Sequence, residues 1–223
     1  MLGFFQFCRF RIELCAIAAF LFIAAPVQAQ SQSETTPAQS ETTPAQSPSE
    51  VIETLHEALI TAMRQAQELG YDGRYELLEP TVVAAFDTFT MARVATGRGR
   101  WKKLSADQRK ALRDAFTQMT VAGYAGRFND YSGQHFEILD QQPAKRGRIL
   151  LKTQLIKANG EPVAFNYLMR RKDRGWVILD IYLDGTFSEL AVRRSEFGAV
   201  LKDKGYDGLL AAIAKTIAKY REG

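Results

Sequence analysis

Carboxylates and histidines are the first candidates for chemistry, and this chain places few of them in partnership. Asp180 and Asp184 stand four apart on a segment that reads as a strand, so both side chains point to one face. Two carboxylates on one face can divide general acid and general base work. Structural carboxylates occupy such places equally well, bonded to backbone or to an arginine. The two histidines, His56 and His135, have no partner histidine at helical or strand spacing, so no metal site is expected. His56 has polar neighbours and is expected at the surface. No Gly-x-Ser-x-Gly elbow occurs, and no Gly-rich loop ending in Lys-Ser/Thr. Both cysteines, Cys8 and Cys15, fall within the first 29 residues. The pattern therefore offers no thiol nucleophile, no disulfide and no Cys-ligated metal beyond that point, and no cofactor is expected.

Those first residues form an address. Arg9 and Arg11 precede an uncharged apolar run from Leu14 to Ala25, and Pro26 and Val27-Gln28-Ala29 follow it. This order predicts a secretory signal peptide over residues 1–29, since the run is short of the roughly 20 apolar residues of a membrane span. Next comes Ser33-Glu-Thr-Thr-Pro-Ala-Gln39, repeated unchanged from Ser40 to Gln46. A polar, Pro-bearing repeat cannot bury enough to offset its ordering entropy, so residues 30–47 read as a disordered tether. Residues 48–223 then suit one domain. The whole chain is formally +4, and losing Arg9, Arg11 and Glu13 leaves +3. That mild excess allows weak attraction to anionic lipid surfaces and does not point to nucleic acid.

The elements that would position a site follow from periodicity. Ser47-Pro48-Ser49-Glu50 has the form of a capping box with Pro at the first helical position. Apolar residues from Val51 to Leu69 keep helical spacing up to Gly70. A second helix is expected from about Tyr75 to Ala95, broken near Pro80 and ended by Gly97 and Gly99. Ser105-Ala-Asp-Gln108 starts a long helix to about Asn129. The period then changes. Gln134–Leu139, Arg148–Lys157, Val163–Arg171 and Gly175–Leu183 read as four strands of an antiparallel meander, with Asn159-Gly160 as a hairpin turn. Two helices close the chain, one from near Ser188 to Gly205, the other capped by Asp207 and running to about Tyr220. Helices, then a sheet, then helices is α+β.

The fourth strand is apolar on both faces, from Trp176 through Leu183, broken by Asp180. A half-exposed antiparallel sheet would alternate. Both faces are therefore covered, either by plain helix packing or by helices that leave a cavity over a curved sheet. Periodicity alone leaves the two accounts open.

Several ordered stretches resemble a known family. They are Gly99-Arg-Trp101 ahead of Leu104-Ser-Ala-Asp-Gln-Arg109, then Phe116, Tyr124 and Tyr131-Ser-Gly-Gln134. Later come Trp176-x-x-x-Asp180, Asp184-Gly185, Arg194-x-Glu196-Phe197 and Gly205-Tyr-Asp-Gly-Leu209. Over about residues 51–220 the chain resembles the MlaC-type periplasmic lipid-binding proteins, also called the toluene-tolerance auxiliary family. Tyr131-Ser-Gly-Gln-His-Phe136 and Asp184-Gly-Thr-Phe-Ser188 look closer to its hopanoid-biosynthesis-associated (HpnM-like) branch. The stretch after the last strand carries one residue more than the family usually shows.

The resemblance implies a curved sheet wrapped by helices around an apolar pocket. It implies a soluble, monomeric periplasmic carrier of phospholipid or of a hopanoid-type lipid. Its partners would be an outer-membrane lipoprotein complex and an inner-membrane ABC transporter complex. Exposing two acyl tails to water would cost on the order of 20 kcal/mol, at ~0.8 kcal/mol per methylene. A dry pocket cancels most of that, so transfer needs no chemistry in the carrier. Candidate tail contacts are Phe86, Phe89, Val94, Phe116, Met119, Leu151, Leu155, Phe165, Tyr167, Ile178 and Ile181, although core packing alone would explain each. Two rivals stand beside the carrier. One is a small enzyme using Asp180 or Asp184 in an apolar pocket. The other is an interaction module with a solid core.

Overall fold

The computed structural model describes residues 46–222. The leader expected over residues 1–29, and all but the last two residues of the tether over 30–47, lie outside the described residues. Helix α1 (Pro48–Arg64) opens on the capping box its sequence spells. The Ser47 hydroxyl accepts from the Glu50 amide at 3.2 Å, and the Glu50 carboxylate accepts from the Ser47 amide at 2.6 Å. Such a cap contributes about 1 kcal/mol. The helix buries Ile52, Leu55, Leu59, Ala62 and Met63. His56 lies on that same face and is 6% exposed, against the surface position expected for it. The reason is its spacing, four residues after Ile52 and three before Leu59, which puts it on the apolar stripe.

Apolar spacing predicts one helix up to Gly70; the chain does leave helical geometry at Gly70, and it breaks once more before that, at Gln65. Helix α2 (Ala66–Ala85) follows and is kinked at Gly70, whose φ is 58°. Pro80 does not break α2, because it sits on the exposed side, where a lost backbone bond is replaced by water. The break comes instead at Phe86–Asp87, where Asp87 caps helix α3 (Thr88–Thr96) by accepting from the Thr90 amide at 3.2 Å. Gly97, at φ 85°, ends α3 as expected. Gly99 does not act as a stop and lies within the short α4 (Arg98–Lys103). Helix α5 (Ala106–Arg127) starts from the second capping box, Ser105 with Gln108.

The four expected strands are present as β1 (His135–Ala144), β2 (Arg148–Ile156), β3 (Pro162–Lys172) and β4 (Gly175–Leu183). A fifth, β5 (Phe187–Ser188), adds two residues at the edge beside β4. The sheet is an open antiparallel meander in the order β1-β2-β3-β4-β5. Register shifts between Ile138 and Asp140 and between Leu168 and Met169 bend it. Helix α6 (Glu189–Asp203), capped by Ser188, and helix α7 (Gly205–Glu222) complete the α+β fold. Asp207 lies within the first turn of α7 rather than at its cap.

Strand β4 is the pivot. Val177 to Ile181 are all buried, and α1, α2, α3 and α6 all touch this strand. Phe86 bridges to Ile178, and the Asp87 amide donates to the Ile178 carbonyl at 3.0 Å, beside the β3–β4 register shift. The Asp87 carboxylate in turn binds Arg170 and, at 3.1 Å, Lys172. Burial works against that carboxylate, but bonds from Thr90 and Lys172 and the charge of Arg170 outweigh it and hold its pKa below the ordinary value. This buried cluster locks the start of α3 to the sheet. On the other side α7 lies directly against α5. A methyl group on Gly126 would come within 2.6 Å of the Tyr220 carbonyl, so only glycine permits the approach. Among the described residues no helix is long and apolar enough to cross a membrane.

Candidate functional site

Covering β4 on both faces does not fill the space between α5 and the sheet. A cavity of about 530 Å³ remains there, within the range of small-molecule sites. Helix α5 supplies one wall through Phe116, Met119, Thr120, Gly123 and Tyr124. The sheet supplies the facing wall through Leu155, Phe165, Ile181 and Leu183. Met63, Phe86 and Met91 close one side, and Phe128 and Leu190 another. The aromatic lining interlocks. Phe86 packs on Tyr124 with centroids 5.7 Å apart, Tyr124 stacks on Phe128 at 5.7 Å, and Phe128 leads through Phe136 to Phe165 in steps of 6.2 Å. Three methionines in the wall make it adaptable in shape.

The remaining lining residues are polar and more exposed: Arg127, Asn129, Asp130, Gln134, Lys157, Glu189, Arg193 and the ring of Tyr220. Arg127 and Arg193 both donate to the Tyr220 hydroxyl, at 3.0 and 3.3 Å. One polar atom lies deeper. The Tyr124 hydroxyl is buried with no hydrogen-bond partner, and burial pushes its pKa upward, so it stays protonated. The arrangement is an apolar body with a charged rim, the shape that encloses an amphipathic molecule by its apolar part.

Of the eleven candidate contacts, Phe86, Phe116, Met119, Leu155, Phe165 and Ile181 line this cavity. Leu151, Tyr167 and Ile178 are fully buried in the core next to it and do not line it. Phe89 and Val94 are elsewhere. They project from the outer side of α3 into a separate recess with Trp101, Arg93, Arg98, Lys102 and Arg194. Phe89 meets Trp101 edge-on at 5.6 Å. Apolar residues lie on both sides of α3, so spacing could not tell its buried side, carrying Met91, Ala92 and Ala95, from its outer one, carrying Phe89 and Val94. Basic residues are expected at the mouth of such a pocket, but sequence reasoning could not place the rim. Arg127, Arg193 and Tyr220 come from three helices far apart in the chain. The available signal was the small pair Gly123 and Gly126 on α5, which marks a close helix approach.

The two carboxylates weighed for acid and base work do not act together. Asp180 is buried and accepts from the Ile181 and Leu190 amides at 2.8 and 3.0 Å and from the Ser188 hydroxyl at 2.6 Å. It ties the start of α6 to β4. Asp184 lies beyond the end of β4, exposed, in a tight turn at φ 48°. His56 shares a 3.2 Å hydrogen bond with Tyr167 and stacks on Phe136 at 3.9 Å. Burial lowers its pKa to about 3, so it is a neutral core residue behind the cavity wall. Among the described residues no group of three or more His, Cys, Asp or Glu side chains is placed to hold a metal ion.

A curved antiparallel sheet wrapped by helices around an apolar, charge-rimmed cavity defines a class: α+β proteins built to enclose an apolar body. Within it the chain belongs to the MlaC family, whose model, described as MlaC protein, matches residues 53–215. Among solved structures it is similar in fold to a phospholipid-binding protein from Ralstonia solanacearum, solved in complex with a phospholipid. The two are 19% identical with a TM-score of 0.66, and the match covers 76% of this chain and 96% of that one.

Proposed function

We propose that this protein is a periplasmic lipid carrier that shields acyl chains in the α5–sheet cavity. It passes lipid between an outer-membrane lipoprotein complex and an inner-membrane ABC transporter complex. The observation that carries the proposal is the cavity, mainly apolar in its depth and charged only at its rim. Membership of the MlaC family supports it, as does the phospholipid held by the Ralstonia protein of the same fold. A carrier needs no chemistry of its own, and Asp180, the best-placed acid, is engaged by three structural hydrogen bonds. Moving a tail from bilayer to a dry pocket is near balance, because both are apolar. Net direction then comes from partners that bind the loaded or empty state better.

The test is transfer of a fluorescent phospholipid from donor to acceptor vesicles. The purified protein should raise the transfer rate in proportion to its concentration. Thr120→Phe, which places a ring in the cavity, should abolish that rise with the circular dichroism spectrum unchanged. A folded Thr120→Phe protein with full transfer would contradict the proposal.

A further inference from the structure

The rim carries two cations aimed at one neutral oxygen. Arg127, on the last turn of α5, and Arg193, on α6, both point at the Tyr220 hydroxyl of α7. Arg193 has Glu196 at 2.8 Å on its other side and a side chain only 19% exposed. Arg127 lies over the Tyr220 ring, 5.3 Å from its centroid, and among the described residues has no carboxylate within 4.0 Å. Guanidinium groups gathered without a shared anion repel one another, and the pair is best satisfied by an oxyanion that accepts from both.

Tyr124 lies three residues before Arg127, on the same face of α5, and both line the cavity. Its hydroxyl is a buried donor with nothing to donate to. Leaving such a group unmade is costly, so an acceptor on the bound molecule belongs there. The cavity thus holds two polar marks in order of depth: one donor just inside, then two guanidinium groups at the rim. Glu189 and Asp130 also reach the rim and nearly balance Arg127, Arg193 and Lys157. That balance suits a singly charged group better than a doubly charged one.

We propose that Arg127 and Arg193 form a subsite for the phosphodiester of a glycerophospholipid headgroup, with the Tyr124 hydroxyl donating to an ester carbonyl below it. This rests on the carrier reading and narrows its cargo. A polycyclic lipid without phosphate or esters would leave all three donors unmade.

The test offers the protein vesicles with equal dioleoylphosphatidylglycerol and dioleoylglycerol, which share their tails and esters and differ in the phosphate. The protein is re-isolated and both lipids are quantified by mass spectrometry. The wild type should take up the phospholipid at least about tenfold more than the diacylglycerol, as charge-assisted bonds require. Arg127→Gln with Arg193→Gln should bring the ratio to within about threefold of unity. Arg127→Gln alone, at an exposed side chain, should lower it by an intermediate factor and provides the reading if the double variant does not fold. Tyr124→Phe should reduce uptake of both lipids and keep the ratio. Equal uptake by the wild type, or a wild-type ratio in the arginine variants, would overturn the phosphate subsite and leave the carrier reading standing. Higher uptake by Tyr124→Phe would overturn the ester contact. Uptake of neither lipid by the wild type would overturn both the subsite and the carrier.

Discussion

Acid should weaken this fold through His56 before its carboxylates titrate. The ring is buried between Phe136 and Tyr167, and desolvation lowers its pKa to about 3, against about 6.5 in an unfolded chain. A group whose pKa is depressed on folding binds protons more readily in the unfolded state. Its contribution is therefore fully present above pH 6.5 and is lost as pH falls from 6.5 toward 3. Linkage over these two values gives a loss of about 2 kcal/mol between pH 7 and pH 5. The perturbation is His56→Gln, which removes the titration. It also removes the ring stacked on Phe136, so the variant should be weaker than wild type at pH 7. The assay is urea unfolding of both proteins at the two pH values. The wild type should lose about 2 kcal/mol more than the variant on going to pH 5. Parallel losses would refute the claim that His56 is buried and neutral.

Further outcomes follow from the contacts that hold the cavity walls. Asp180→Ala removes three hydrogen bonds, two of them to the start of α6 and one to the Ile181 amide on β4, and should lower stability by about 3 kcal/mol in urea unfolding. Gly126→Ala should destabilise by about 1–3 kcal/mol, because the new methyl meets the Tyr220 carbonyl and α7 must move off α5. Asp87→Ala leaves Arg170 and Lys172 half-buried and unpaired and should cost about 3–5 kcal/mol, read from the unfolding midpoint. Phe165→Asp puts a charge into the cavity wall. The folded variant should lose co-purifying lipid, as measured by mass spectrometry.

Features set by neighbouring residues were legible in the sequence. Both capping boxes lie within four residues of chain, and both occur as spelled. Strand β4 begins at Gly175, whose φ of 111° suits glycine alone, and its doubly apolar pattern reflects helices on both faces. What depended on tertiary contact was not legible. His56 looks polar in the chain and is buried because its side chain lies on α1's apolar stripe. Pro80 looks like a breaker and is tolerated because it faces water, while the real break at Phe86–Asp87 comes from docking onto β4. The same holds within the site. Aromatic and aliphatic residues on α5 and the strands could be chosen by spacing, and Phe116, Met119 and Phe165 do line the cavity. Phe89 and Val94 satisfy the same spacing on a helix that carries apolar residues on its outer as well as its buried side. The rim is assembled from Arg127, Arg193 and Tyr220, which no local pattern connects.

The most direct measurement is mass spectrometry of an organic extract of the protein, purified without detergent from its native envelope compartment. The account predicts glycerophospholipid at about one molecule per cavity, lost on Thr120→Phe. Well-folded protein that yields no lipid, or yields a polycyclic lipid without phosphate, would contradict it.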